Sequence, residues 1–157
     1  MPVTKQEALR RLEKEYRKIN SVVGPVDLKV VAAWAISAGK WKPHAKDLVK
    51  QCAKEIAGAL RNDYFTDPKG RRVRAKHPVK DRRGGTNYSF WDDIRTASRT
   101  HMERSFQQRR EQIVGDCRQL KTDVDSYNDA HEDETDIQLV LDFTWDVAEL
   151  EAAQGAA

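Results

Sequence analysis

YFTDPKGRRVRAKHPV, residues 64–79, interrupts a chain whose other long segments are patterned for helix. Between Arg72 and His77, basic side chains alternate with uncharged ones, and this period of two is typical of a β-strand. The segment Asp67–Gly70 places Asp, Pro and Gly where a tight turn favours them. We therefore expect a β-hairpin over residues 64–79 with one basic face.

Three helices are predicted before this hairpin, over residues 4–20, 28–38 and 44–61. The first begins with a capping box, because Thr4 is followed three residues later by Glu7. The third has the clearest helical spacing of apolar residues. These residues are Ala45, Leu48, Val49, Cys52, Ala53, Ile56 and Leu60.

The chain after the hairpin is more polar. Residues 80–87, KDRRGGTN, predict a mobile loop, and residues 88–91 are short and apolar enough for a third strand. A long helix is expected over about residues 93–128. Residues 137–150 fit both a strand and a helix, and we expect a helix there.

Charge is segregated along the sequence. Residues 40–110 contain 19 Lys and Arg against 8 Asp and Glu, whereas residues 111–157 contain 2 against 13. The whole chain has a net charge of only +3, so the total conceals two strong fields of opposite sign. A basic block on a folded domain is typical of a protein that binds a polyanion. The alternative is that the two blocks neutralise each other on folding.

Three helices followed by a hairpin with a glycine-closed turn form the element order of the winged helix-turn-helix family. Residues 4–79 resemble that family in pattern, with Trp91 as the outer limit of the likeness. The resemblance implies binding to duplex DNA, with the third helix in the major groove and the hairpin, or wing, on the backbone or minor groove. The overall layout is also similar to that of uncharacterised bacterial mobile-element proteins.

By position, the resemblance assigns groove contacts to the lysines of the third helix and backbone contacts to the cations of the wing. Lysines predominate on that helix, and such faces bind phosphates more than they read bases. The alternative for the hairpin is a solvated sheet edge protected by charge. The loop 80–87 is either a phosphate clamp or a plain surface loop. The predicted DNA-binding residues are Lys42, Lys46, Lys50, Lys54, Lys69, Arg71, Arg72, Arg74, Lys76, Arg82 and Arg83.

The long helix also contains apolar residues at heptad-like spacing, which predicts a dimer seam over about three heptads. A homodimer would place two wings on one duplex and fix a half-site spacing. The alternative is a long helix that packs one face against its own domain. The seam residues are Phe106, Ile113, Cys117, Leu120 and Val124.

No pattern for catalysis, a metal or a cofactor stands out in the sequence. The four histidines lack metal-ligand spacing, and the acidic clusters after residue 122 are typical of a solvated face. We therefore expect no enzyme activity, no metal and no cofactor. The first twenty residues are charged, without the apolar core of a signal peptide, so we expect a cytoplasmic protein without a membrane partner.

These observations predict a mainly α protein with a small β-hairpin. Its expected parts are a winged helix-turn-helix domain over residues 1–91, a long helix over residues 92–128 and an acidic segment over residues 129–157. The expected function is DNA binding, as a transcriptional regulator or a nucleic-acid accessory factor. Two alternatives stay open: a protein–protein adaptor built on the same scaffold, and an RNA-binding accessory protein.

Overall fold

The computed structural model describes residues 4–155, and within them the chain forms five helices and two antiparallel two-stranded sheets. The mainly α fold with small hairpins is thereby confirmed, while the winged-helix arrangement stays a prediction. The elements are α1 Lys5–Asn20, α2 Leu28–Ser37, α3 Ala45–Arg61, β1 Tyr64–Thr66, β2 Arg72–Arg74, β3 Lys76–Arg83, β4 Thr86–Asp93, α4 Arg99–Ala130 and α5 Thr144–Gly155.

The chain divides after Gly58 into two compact units. The predicted division into residues 1–91, 92–128 and 129–157 stays a prediction, and residues 1–3 and 156–157 lie outside the described range. The division falls near the end of α3, so the last three residues of that helix belong to the second unit.

The first unit is held together by α1 and α2. The predicted capping box is present, because the Thr4 side chain accepts from the Glu7 backbone and the Glu7 carboxylate accepts from the Thr4 backbone. The rings of Tyr16 and Trp34 meet edge to face, 5.5 Å apart. Edge-to-face packing is a favoured aromatic geometry, and it joins the two helices.

The apolar stripe of α3 lies in solvent rather than in a core. Leu48 and Ile56 are each 55% exposed, and Val49 is 72% exposed. An ion pair between Lys5 and Asp47, 2.7 Å from Nζ to Oδ1, connects α1 with the first turn of α3. The helical spacing of this stripe predicted the element correctly. Such a stripe usually faces a core, and these three side chains do not.

The predicted hairpin over residues 64–79 is wrong in its extent, because the structure divides it between two sheets. Strands β1 and β2 pair around the Asp67–Gly70 turn, and β3 turns away to pair with β4. The break is at Ala75, whose N–H donates to the carbonyl of Asp63 while its own carbonyl accepts from Ile94. A buried residue without a strand partner therefore interrupts the period of two.

The prediction of a mobile loop over residues 80–87 is wrong. These residues belong to a ribbon in which β3 and β4 pair along their eight-residue lengths. Gly84 and Gly85 form its turn with φ of 55° and 79°. Two consecutive residues at positive φ make the type I′ turn that suits the twist of a hairpin, so this pair marks a turn of two residues. The predicted third strand, residues 88–91, is the middle of β4.

Helix α4 lies along the free edge of β3 and bonds to its backbone through one face. The seven-residue step from His101 to Gln108 along the helix rises about 10.5 Å, and the three-residue step from His77 to Lys80 along the strand rises about 10 Å. The bonding side chains of the helix therefore have the same spacing as the backbone groups of the strand. Side chains of the helix thus take the place of a third strand. The bonds run from His101 Nε2 to His77 O (2.9 Å), from Ser105 Oγ to Pro78 O (2.7 Å), and between Gln108 and both the N–H and the carbonyl of Lys80 (2.8 Å each).

The long helix begins later than predicted. Its N-cap is Ser98, which accepts from the backbone of His101. The predicted start at residue 93 fails because Asp93 ends β4, where its carboxylate accepts from Lys76 and Arg95. Those two cations lower the pKa of Asp93 far below its usual range, with the hydrogen bonds from Arg95 as the largest cause.

The helix expected over residues 137–150 is present only from Thr144. Asp142 caps it by accepting from the Thr144 backbone, 3.1 Å from N to Oδ1. Residues 135–143 form neither helix nor strand, and Asn128 of α4 bonds to both the N–H and the carbonyl of Ile137, at 3.0 and 3.1 Å. The acidic segment therefore folds back onto the end of α4.

Candidate nucleic-acid interface

A cleft of about 400 Å³ lies in the second unit between the β-strands and α4. Its walls contain four cations from four different elements: Arg61, Arg74, Lys80 and Arg109. Among residues 4–155, Asp116 is the only one that contributes a carboxylate to the lining. The helix wall is a polar face of α4, contributed by Ser105, Gln108, Arg109, Gln112 and Asp116.

Aromatic rings hold the arginines at and beside this cleft. The guanidinium carbons of Arg72 and Arg74 lie 4.2 and 5.8 Å from the ring centroid of Tyr64, and Arg74 Nη2 lies 3.4 Å from the Tyr64 hydroxyl. Arg61 lies over Trp91 at 5.6 Å. Guanidinium groups stack favourably on aromatic faces, so these contacts orient the arginines without neutralising them.

The cleft cations lack counterions. Within residues 4–155, none of Arg61, Arg74, Lys80 and Arg109 forms an ion pair with a carboxylate. The Nε of Arg74 is also buried, with no hydrogen-bond partner in the described part of the chain. A buried donor without an acceptor is costly.

The positive charge of the cleft contributes to lowered pKa values at two neighbouring side chains. The hydrogen bond from Arg74 is the largest cause of a lowered pKa at Tyr64, and the charges of Arg74, Arg72 and Arg109 lower it further. At His77, burial is the largest cause of a lowered pKa, and the charges of Arg109 and Arg74 act in the same direction. Both groups are therefore shifted toward the less positive form that a cationic site favours.

Three of the predicted DNA-binding residues are engaged in ion pairs. Arg71 lies 2.6 Å from Asp67 in the first turn, Lys76 lies 2.9 Å from Asp93, and Arg83 lies 3.1 Å from Asp81. The Arg71 pair closes a turn and the Lys76 pair links paired strands, so these two cations contribute to local structure. Arg83 and Asp81 are two residues apart on β3, and the Arg83 side chain stays 67% exposed.

The other predicted cations lie in both units. Lys42, Lys46, Lys50 and Lys54 belong to the first unit and are exposed. In the second unit, Lys69 and Arg72 are exposed in the β1–β2 hairpin, Arg82 is exposed on the ribbon, and Arg74 is half-buried in the cleft. Arg74 is thus the one predicted cation that lines the cleft among the described residues.

Sequence reasoning left Arg61, Lys80 and Arg109 out of the site. The signal for Arg109 is a polar stripe at positions 105, 108, 109, 112 and 116, which share one helical face. This stripe was hidden by the apolar heptad pattern on the same helix. Lys80 was assigned to a loop, and Arg61 to the basic face of α3 opposite its apolar stripe without being named as a contact.

The predicted dimer-seam residues line α4 with unequal exposure. Phe106, Ile113 and Leu120 are 48%, 52% and 46% exposed, whereas Val124 is half-buried. Phe106 packs edge-on against His77 at 5.4 Å, and Val124 lines a cleft with Ile137 of the acidic segment. Cys117 is half-buried. Phe106 and Val124 therefore have neighbours within the chain, and the homodimer stays a prediction.

Within the described residues, no group of three His, Cys, Asp or Glu side chains could hold a metal ion. None of the helices in residues 4–155 combines the length and apolar composition that a membrane crossing needs. Comparisons with protein families, with curated proteins and with solved structures find no match to this chain, so its ligand has to be inferred from these side chains.

Proposed function

We propose that this protein binds nucleic acid through the cationic cleft of its second unit. The observation that carries the proposal is the set of four cations around one cleft without an ion pair among the described residues. A phosphate backbone supplies repeated anions that several arginines and a lysine bind together. Lysine and arginine contacts to phosphate give affinity without sequence readout, so we expect little dependence on base sequence from the cleft itself.

The acidic segment allows the proposal to predict which part of the chain contacts the nucleic acid and which part does not. Residues 111–157 carry 13 carboxylates and would repel the same ligand. The nucleic acid should therefore contact residues 61–110 of the second unit and avoid the far end of α4. The winged-helix resemblance adds the lysines of α3 to the interface, and that addition belongs to the proposal as an expectation.

The salt dependence of binding by the full-length protein tests this directly. Fluorescence anisotropy with a labelled oligonucleotide at several salt concentrations gives the slope of log affinity against log salt. Each neutralised phosphate contributes roughly −0.9 to that slope, so three or four contacts predict a slope of about −3. Arg109→Gln should make the slope shallower by about one unit.

Arg99→Gln is the matched control for Arg109→Gln. Arg99 is also on α4, but it is paired with Glu103 at 2.7 Å and does not line the cleft. The control should leave both the slope and the affinity within about twofold of the original protein, because an exposed paired charge contributes little. Absence of salt-sensitive binding to any oligonucleotide would contradict the proposal and favour the adaptor alternative.

A further inference from the structure

An exposed aromatic pair lies near the end of the β3–β4 ribbon. Tyr88 and Phe90, two residues apart on β4, are each 44% exposed, and their rings stack at 5.9 Å with planes 11° apart. Side chains two residues apart on a strand share a face, so both rings project from the same side of the ribbon. The proposed binding of phosphates in the cationic cleft gives these two exposed rings no role.

The pair sits on a part of the ribbon that we call the ribbon tip, residues 80–90. Gln108 of α4 bonds to the backbone of Lys80, where the ribbon tip begins, and the strands then run to the Gly84–Gly85 turn. A two-stranded ribbon without further cover is marginally stable in water. Large exposed rings on it present apolar surface that a ligand can cover.

The charges of the ribbon tip indicate what kind of ligand this is. Lys80, Arg82 and Arg83 outnumber Asp81, and residues 86–90 carry no charge. The guanidinium carbon of Arg83 lies 5.2 Å from the ring centroid of Phe90. Rings bordered by cations suit a ligand that combines flat aromatic groups with negative charge.

An open surface depression of about 530 Å³ is lined in part by Tyr88. Lys80 lines both this depression and the cationic cleft, so one strand of nucleic acid can extend from one to the other. The depression is lined by Lys80, Asp81, Arg82, Asn87, Tyr88 and Ser89.

We infer that the ribbon tip binds unpaired bases of a single-stranded nucleic acid by stacking them on Tyr88 and Phe90, with Arg83, on the same face of the ribbon, contacting the phosphates. This inference rests on the proposed function and narrows its ligand. Bases inside a duplex have no free face for an exposed ring, so stacking at the ribbon tip requires unpaired bases. The aromatic pair thereby selects single strands, while the cleft binds any phosphate backbone.

The test compares strands with and without bases on the full-length protein. Anisotropy is measured with a labelled single-stranded DNA, with an abasic strand of the same length, and with the matching duplex at one salt concentration. Stacking of at least one base predicts that the abasic strand binds at least about fivefold more weakly than the strand with bases. Equal affinity for these two strands would overturn the inference, and this measurement needs no variant.

Substitutions then locate the stacking. The double variant Tyr88→Ile with Phe90→Ile keeps a strong strand preference and removes both rings. It should lose at least about fivefold in affinity for the single strand and less than twofold for the duplex. Tyr88→Phe keeps the ring and should leave single-strand affinity within about twofold.

Tyr127→Ile is the control for loss of an exposed ring elsewhere. Tyr127 is also 44% exposed, but it is stacked on His131 near the acidic end of α4. It should leave single-strand affinity unchanged. If the double Ile variant binds the single strand as tightly as the original protein, the inference fails. Salt-sensitive duplex binding that depends on Arg109 would then still support the proposed function.

Discussion

The two units of this protein present positive charge in different ways. The lysines of α3 in the first unit are exposed on flexible side chains, beside an apolar stripe that is also exposed. In the second unit, Arg74 lies against Tyr64 and Arg61 against Trp91, and both arginines line one cleft. A guanidinium that is oriented before the ligand arrives loses less conformational entropy on binding. Under the proposed function, the comparison predicts that the orientation of the cations before binding contributes more to affinity than their number.

The largest expected effect is the loss of oligonucleotide affinity when cations of the cleft, and separately those of α3, are replaced by alanine. Arg74→Ala combined with Arg109→Ala should weaken oligonucleotide binding by about 3 kcal/mol, roughly a hundredfold, because two charge-assisted contacts are lost. The triple variant Lys46→Ala, Lys50→Ala and Lys54→Ala should weaken it by less than about tenfold at moderate salt. Titration by anisotropy measures both. A larger loss in the α3 variant would reverse the comparison and favour the major-groove role of that helix.

A smaller effect is expected from the side-chain ladder that holds α4 against β3. Gln108→Ala removes two hydrogen bonds to the Lys80 backbone, and we expect the free energy of unfolding to fall by about 1–2 kcal/mol. Urea denaturation followed by circular dichroism measures this. Gln119→Ala is the control on the same helix, because Gln119 bonds only to Asp123 among the described residues, and it should change stability by less than about 0.5 kcal/mol. Equal effects would show that the ladder does not hold the helix.

Two glycines provide a test of the ribbon turn. Gly85→Ala should destabilise the second unit by about 1 kcal/mol, because φ there is +79° and a β-carbon disfavours that conformation. Gly115→Ala in α4 should instead stabilise it by about 0.5–1 kcal/mol, because alanine is the better helix former and no atom lies within 4 Å of the added carbon. The same denaturation experiment reports both. Stabilisation by Gly85→Ala would contradict the type I′ turn.

The smallest expected effect is the pH dependence that arises at His77. Its pKa is lowered in the folded protein from the ordinary value of 6.5, chiefly by burial. The unfolded chain therefore takes up a proton at higher pH than the folded one, so the contribution to stability is complete above pH 6.5 and declines as the pH falls further. Unfolding by urea between pH 7.5 and 5 measures the slope, and His77→Gln should flatten it. A slope that is unchanged in His77→Gln would assign the pH dependence to other groups.

Local patterns in the sequence predicted the helices well, since caps and apolar spacing act over a few residues. Thr4 with Glu7 marked the start of α1, and the spacing from Ala45 to Leu60 marked α3. The ribbon was missed because its polar residues, such as Lys80 and Arg82, gave no apolar alternation. Only the Gly84–Gly85 pair pointed to its turn.

The candidate site was harder to predict than the fold because it is assembled from distant residues. Arg61, Arg74 and Arg109 come from a helix end, a strand and a second helix, and only tertiary packing brings them to one cleft. Charge segregation directed attention to residues 40–110, where the four cleft cations lie. It could not separate cations held by a carboxylate, such as Lys76, from those left unpaired.

The most direct test of the central claim is an NMR titration of the 18.0 kDa protein with a short oligonucleotide. Backbone amides and arginine side-chain signals report which residues the ligand reaches. We expect the largest shifts at the Nε–H of Arg74 and at amides around Lys80 and Arg109, with little change in residues 46–54. Shifts concentrated in residues 46–54, or none at any ratio in dilute buffer, would contradict it.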